Sequence, residues 1–174
     1  MIESISKKLA PTGELRVGLN MSNFLLVSSK NANGSPEGVS PDIGKKLAEE
    51  LNVICKLVQF EKPGLLADAV NEDKWDIGNI ACEKERAKSI DFSDPYVNID
   101  ANFIFRKKEK FMSNEEINSS AIKIAVLERS AYDLWLTENF KKAELIKVDT
   151  IDNSHKLFRE SKVDVLAGLK PKLM

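Results

Sequence analysis

Apolar residues along this chain come in short runs whose spacing alternates between the strand and helix periods. Residues 15–19 (LRVGL) predict a short strand after the turn signal Pro11, Thr12 and Gly13. Asn31 to Gly34 and Ser35-Pro36 mark a reverse turn. Ser40, Pro41 and Asp42 then open a helix: Ser as its cap, Pro at the first helical position, Asp against the positive end of the dipole. Ile43, Leu47 and Leu51 recur every fourth residue and turn one stripe toward a core. Residues 54–60 predict a strand. Residues 63–71 predict a helix burying Leu65, Leu66, Ala69 and Val70. Residues 75–81 (WDIGNIA) predict a parallel strand covered on both faces. This first half reads β-α-β-α-β.

The charged stretch 82–96 breaks the rhythm with a short helix and a turn ending at Asp94-Pro95. Residues 97–106 look extended, and 107–120 are loop-like with Ser113 and Glu116 spaced as a capping box. The pattern then restarts. A strand over 122–127 leads to a second capping box, Ser130 with Asp133, and a helix to about Asn139. A strand over 144–148, a helix over 152–160 and a strand over 163–167 complete a second β-α-β-α-β. The expected fold is α/β: lobe one over 1–100, a crossover and loop over 101–120, and lobe two over 121–174. Ligands of open α/β sheets sit beyond the carboxyl ends of the strands, so a cleft between two such lobes is expected.

Composition narrows the function classes. With 26 Lys and Arg against 27 Asp and Glu, the net charge is −1, which argues against a nucleic-acid binder. No apolar run approaches the roughly 18 residues of a membrane-spanning helix. The opening MIESISKKLAPTGELRVG lacks an apolar h-region and a small-residue cleavage site, so no secretory signal is expected in it. Cys55 and Cys82 sit in apolar runs and read as buried free thiols. With His155 as the sole histidine they make no zinc site of the usual spacing, and no cofactor is expected. Phosphate-loop, dinucleotide, nucleophile-elbow and zinc-protease motifs are all lacking from the sequence.

Five positions invite a ligand. Ser130 begins a helix directly after a strand, where free N–H groups and a hydroxyl suit an anion; ordinary capping explains it equally well. Arg86 follows the WDIGNIA strand, where a guanidinium can grip a carboxylate by two parallel bonds, or else pair with Glu83 on its own turn. Phe24 can cover the apolar part of a ligand or serve the core. Asn20 and Asn79 stand at two strand ends as uncharged hydrogen-bonding groups.

Taken in order, Glu14-Leu-Arg-Val-Gly18, Gly38-Val-Ser-Pro-Asp-Ile43, Trp75-Asp-Ile77, Glu85-Arg-Ala87 and Ile90-Asp-Phe-Ser-Asp-Pro-Tyr96 resemble the family 3 bacterial extracellular solute-binding proteins, polar-amino-acid receptors of ABC importers. The resemblance runs from about 14 to 173, and Ile124-Ala-Val126 to Ser130 with Lys162-Val-Asp-Val165 look like the family's second lobe. It implies a type II periplasmic-binding fold whose lobes close over a small ligand. It further implies Arg86 as the carboxylate anchor and Ser130 as a cleft residue, with Ala131 beside it. It also implies a periplasmic or extracellular location and the importer's membrane subunits as partners.

Departures from the family pattern qualify the ligand. Glu83 stands where amino-acid binders carry Thr or Ser, and Asn79 and Ala81 replace small hydroxyl residues. Leu169, followed by Lys170, falls where a carboxylate would hold the ligand's ammonium. Unless Glu83 serves instead, an ammonium buried there lacks a counter-charge, which is costly. The ligand is therefore expected to be a small carboxylate or polar solute rather than a standard α-amino acid. Alternatives are a dehydratase-like enzyme on the same fold, with Glu83 as acid or base, and a sensing domain. The chain stops at Lys170-Pro-Lys-Leu-Met174 where relatives of the family continue, so the second lobe is expected to be incomplete and its uncovered edge to favour a homodimer.

Overall fold

In a computed structural model that describes residues 2–173, contacts divide the chain into one unit ending at Ala81 and another beginning at Cys82. The segment 82–100 thus joins the second unit, where the sequence placed it in lobe one. Long-range bonds draw it there: Lys84 pairs with Glu138 at 2.6 Å, and the Arg86 guanidinium donates to the Arg129 carbonyl at 3.0 Å.

The first unit opens with α1 (Ile2–Leu9), a helix the sequence reading left unassigned. The Ser6 hydroxyl donates to the Leu51 carbonyl at 2.9 Å and ties it to the next helix. Strand β1 (Glu14–Asn20) buries Leu15, Val17 and Leu19 completely. A small hairpin, β2 (Ser29–Lys30) with β3 (Pro36–Glu37), encloses the turn at 31–34.

Helix α2 (Val39–Leu51) corrects two expectations. Its cap is Gly38, at φ 131°, rather than Ser40, so Pro41 lies within the first turn instead of opening it. Glycine is required at the cap because a Cβ would stand 2.7 Å from the Leu26 carbonyl oxygen. The buried stripe is Pro41, Gly44, Ala48 and Leu51, whereas Ile43 is exposed. Gly44 packs so tightly on Val17 that a Cβ would lie 2.7 Å from its methyl, so the helix meets the sheet through small residues.

Strand β4 (Ile54–Phe60) follows, then α3 (Pro63–Asp68), which continues as a 3-10 turn over Ala69–Glu72. Leu66 and Ala69 are buried as expected; Leu65 is exposed. Strand β5 (Ile77–Asn79) is shorter than predicted and half-buried, because only β1 pairs with it in a parallel sheet of order β4-β1-β5. Cys55 on β4 is half-buried and Cys82 exposed, which corrects the expectation of two buried thiols.

In the second unit, Arg86–Lys88 forms a single 3-10 turn, and β6 (Ala101–Phe105) supplies the extended segment. Helix α4 (Asn114–Ile117) is capped by the Ser113 hydroxyl, as the spacing predicts. Then come β7 (Lys123–Leu127), α5 (Ala131–Asn139), β8 (Glu144–Val148), α6 (Ile151–Arg159), β9 (Val165–Leu169) and the short α7 (Lys170–Leu173). The sheet order is β6-β9-β7-β8, with β6 antiparallel to β9 and the others parallel. Ile124 and Val126 face a cluster with Leu136, Phe140 and Val165, while Ala125 faces a second one with Val163 and Leu166. Arg106, just past β6, donates to the Phe158 and Val163 carbonyls and lies 4.7 Å over the Phe158 ring, which closes the end of α6.

Candidate functional site

The candidates fall into two groups. In the first unit, Asn20 ends β1 and Asn79 ends β5. Register sets Leu19 opposite Asn79, so both amides stand at the carboxyl edge of the parallel sheet. Phe24 is half-buried in the turns after β1. The Asn20 side-chain Oδ1 is already engaged, accepting from the Ser22 N–H at 3.2 Å and its hydroxyl at 2.8 Å, an Asx turn that shapes the loop. Two hollows of this unit, one of about 360 Å³ lined by Asn33, Pro36, Lys45, Cys55 and Gln59 and one of about 400 Å³ lined by Gly13, Ala48, Asn52 and Ile54, involve none of the three.

The second unit gathers Arg86, Glu83, Ser130 and Ala131. Arg86 is only 4% exposed. Its Nη2 donates to the carbonyl of Arg129, the residue just ahead of α5. Burial lowers the guanidinium's hold on its proton, and the charge of Arg129 works in the same sense against the attraction of Glu83. Glu83 is half-buried. Burial pushes its carboxyl above the usual range and Glu138 adds to the effect, while Arg86 opposes it.

Ser130, 3% exposed, is the cap of α5 and accepts from the Asp133 N–H at 3.1 Å, as the capping-box spacing predicts. Ala131 opens the helix, half-buried. The phenol of Tyr132 is pushed up to about 12 by burial, partly relieved by its bond to Ser130, so it stays neutral. Lys170 is exposed at the start of α7, its N–H donating to the Asp100 carbonyl at 2.9 Å.

Three residues of this neighbourhood escaped the sequence reading: Arg129, Lys147 and the full role of Asp133. Asp133 is 1% exposed and accepts from the Arg129 N–H at 2.6 Å, the Thr137 hydroxyl at 3.1 Å and Lys147 Nζ at 2.9 Å. Its place in the capping box was visible; the reach to Lys147 on β8 is tertiary. Arg129, at φ 58°, occupies a left-handed conformation for which its residue type gives no signal. Among the described residues no group of three or more His, Cys, Asp or Glu is arranged to hold a metal ion.

A buried guanidinium beside a helix start with a capped hydroxyl is suited to a carboxylate. Comparison with known proteins identifies the family. The family described as bacterial extracellular solute-binding proteins, family 3, matches residues 15–170. An L-arginine-binding protein of Pseudomonas aeruginosa is 28% identical over 156 residues, 88% of this chain and 57% of that protein. The L-cystine-binding protein TcyJ of Escherichia coli is 23% identical, over 94% of this chain and 62% of its own length. The chain thus spans about three fifths of the curated relatives it matches. Among solved structures, the ancestral amino acid-binding protein AncCDT-1, a precursor of cyclohexadienyl dehydratase, superposes with a TM-score of 0.73 at 26% identity, covering 98% of this chain and 74% of that one. A binding component of an ABC transporter from Wolinella succinogenes, complexed with lysine, gives 0.72 at 22% identity, over 91% of this chain and 69% of its own.

Proposed function

This chain belongs to the bacterial extracellular solute-binding proteins, family 3, and from that premise we propose that it captures a small carboxylate-bearing solute, an amino acid or an organic acid, for the membrane subunits of an ABC importer. The observation that carries the reading is the buried Arg86 guanidinium held at the start of α5. Arg86 receives the ligand's carboxylate through paired charge-assisted bonds, and the Ser130 hydroxyl with the Ala131 N–H adds donors. Glu83 is the counter-charge for an ammonium if the ligand has one, and Lys170 a second cation for an additional acidic group. Within the first unit the candidate ligand contacts are Asn20, Asn79 and Phe24. The named relatives, binders of arginine and cystine, support an amino acid within this class. In this reading the functional lobes follow the two units, the second beginning at Cys82, and the protein works in the periplasm or outside the cell. Self-association along an uncovered strand edge belongs to the same proposal.

The test is a thermal-shift screen with L-arginine, L-lysine, L-cystine, succinate and a polyol, since a ligand of the native state raises the melting temperature by mass action. Carboxylates are expected to stabilise the protein and the polyol to have no effect. Arg86→Ala is expected to weaken the stabilising carboxylate by about a hundredfold, or about 3 kcal/mol, with the ligand-free melting temperature kept. A collapse of the ligand-free variant would instead make Arg86 a structural ion-pair residue.

One observation favours a second reading. The raised Glu83 carboxyl beside Arg86 is the arrangement of a general acid next to an anion anchor. Turnover of a cyclohexadienyl acid, abolished in Glu83→Gln, would move the protein from receptor to dehydratase.

A further inference from the structure

The bonds of Asp133 depart from those of a helix cap in a way that reaches Arg86. In a capping box the acidic side chain at the third helical position returns to the N–H of the cap residue. Here the Ser130 N–H is instead taken by the Leu127 carbonyl at 3.2 Å. The Asp133 carboxylate passes over it to the N–H of Arg129, one residue outside the helix, at 2.6 Å. It therefore serves the turn between β7 and α5 more than the helix itself. That turn needs a tether, because Arg129 holds φ 58°, a conformation that a residue bearing a Cβ adopts only at a cost.

The other end of the same residue carries the Arg86 contact. The Arg129 carbonyl accepts from Arg86 Nη2 at 3.0 Å, so the orientation of that residue's backbone bears on where the buried guanidinium rests. Asp133 is itself fixed from the sheet: Lys147 Nζ lies 2.9 Å from Oδ1 and also donates to the Thr137 hydroxyl at 2.9 Å, which in turn donates to Asp133. Lys147 stands on β8 opposite Val126 of β7, inside the register of the parallel sheet. A continuous path thus runs from a sheet lysine through a buried carboxylate and a left-handed turn to the arginine.

We infer that Asp133, braced by Lys147 and Thr137, is a positioning residue that sets the Arg86 guanidinium through the backbone of Arg129. This rests on the reading of Arg86 as the carboxylate anchor for its importance, though not for its test.

The test uses nitrogen-15 NMR of the arginine side chains in the full, ligand-free chain, with Arg86→Lys to assign the Arg86 signal. Asp133→Asn is expected to displace that signal and to speed its exchange with water about tenfold, as loss of a tether permits local opening. Lys147→Met, which leaves the carboxylate in place, shifts it in the same direction by less, and decides the matter if Asp133→Asn does not fold. Thr150→Ala, which removes an ordinary cap from α6 in the same unit, lowers the melting temperature and leaves the Arg86 signal in place. Adding Arg129→Gly to Asp133→Asn restores part of the signal, because glycine accepts the left-handed turn without a tether. An Arg86 signal unmoved in both Asp133→Asn and Lys147→Met overturns the inference and leaves Asp133 a stability residue. The ligand reading fails separately, if Arg86→Ala binds L-arginine as the wild type does.

Discussion

The two units build the same β-α-β-α-β arrangement around a central parallel strand, yet they close its second face by different means. Along β7, Ile124 and Val126 enter one apolar cluster, and Ala125 enters another with Val163 and Leu166. Along β1, Leu15, Val17 and Leu19 enter a single apolar cluster. Its other face presents Gly18, close under Leu66 and Trp75, and Arg16, whose guanidinium holds Asp76 at 2.6 Å and Asp73 at 2.7 Å. Asp76 also accepts the Arg16 backbone N–H at 2.7 Å, which pins the approach to β5 against β1. One unit closes its second face with apolar side chains; the other sets an ionic staple beside Leu66 and Trp75. Apolar packing holds no charge to titrate or screen, whereas an ionic staple responds to both pH and screening by salt.

The sharpest way to break this contrast is Leu166→Ala. Leu166 is 1% exposed, and truncation is expected to cost about 3 kcal/mol in urea unfolding through lost burial and the cavity left behind. A loss below about 1 kcal/mol would mean that this face is not packed as a core.

Asp76→Asn is expected to cost less, between the about 1 kcal/mol of an exposed pair and the about 3 kcal/mol of a buried one. Its signature is pH dependence. Burial pushes the Asp76 carboxyl up, but the bonds from Arg16 outweigh this and hold it below the usual carboxylate range. A group lowered on folding stabilises the native state above its unfolded value near 4 and loses that contribution as pH falls through the folded one. Acid melts of the wild type should show this loss, and those of Asp76→Asn should lack it.

The smallest effect has the opposite sign. The Glu83 carboxyl is raised on folding, so its ionisation opposes the native state. Its favourable contribution is present below the unfolded value near 4.3 and lost as pH rises through the folded one. Glu83→Gln is therefore expected to melt slightly higher than the wild type at neutral pH and equally near pH 3. A lower melting temperature at neutral pH would mean that ionised Glu83 is a net stabiliser through Arg86.

Much of this architecture could be read from the chain because periodicity and capping are local. The strands at 15–19, 54–60, 122–127 and 144–148 and the hydroxyl caps Ser113 and Ser130 needed only neighbouring residues. What escaped the sequence was decided at a distance. The start of α2 depends on the Leu26 carbonyl crowding Gly38, and its buried face on how closely Val17 approaches Gly44. Ile43 belongs to a stripe by spacing, yet stands outside the face that Gly44 and Ala48 bring to the sheet. The same holds at the candidate site. Arg86 and Ser130 were visible as residue types at strand-end positions, but the turn at Arg129 and the brace from Lys147 exist only once β7 and β8 are in register.

The two thiols, mismatched in surroundings, make the chain open to selective chemistry. Cys82 is exposed and lies four residues ahead of Arg86, while Cys55 is half-buried with its thiol pushed up by burial despite the nearby Lys45. Since the thiolate is the reactive form, a maleimide dye offered at neutral pH reaches Cys82 first. A fluorophore there needs no engineered cysteine and sits beside the proposed anchor, where a change in brightness would report solute capture directly.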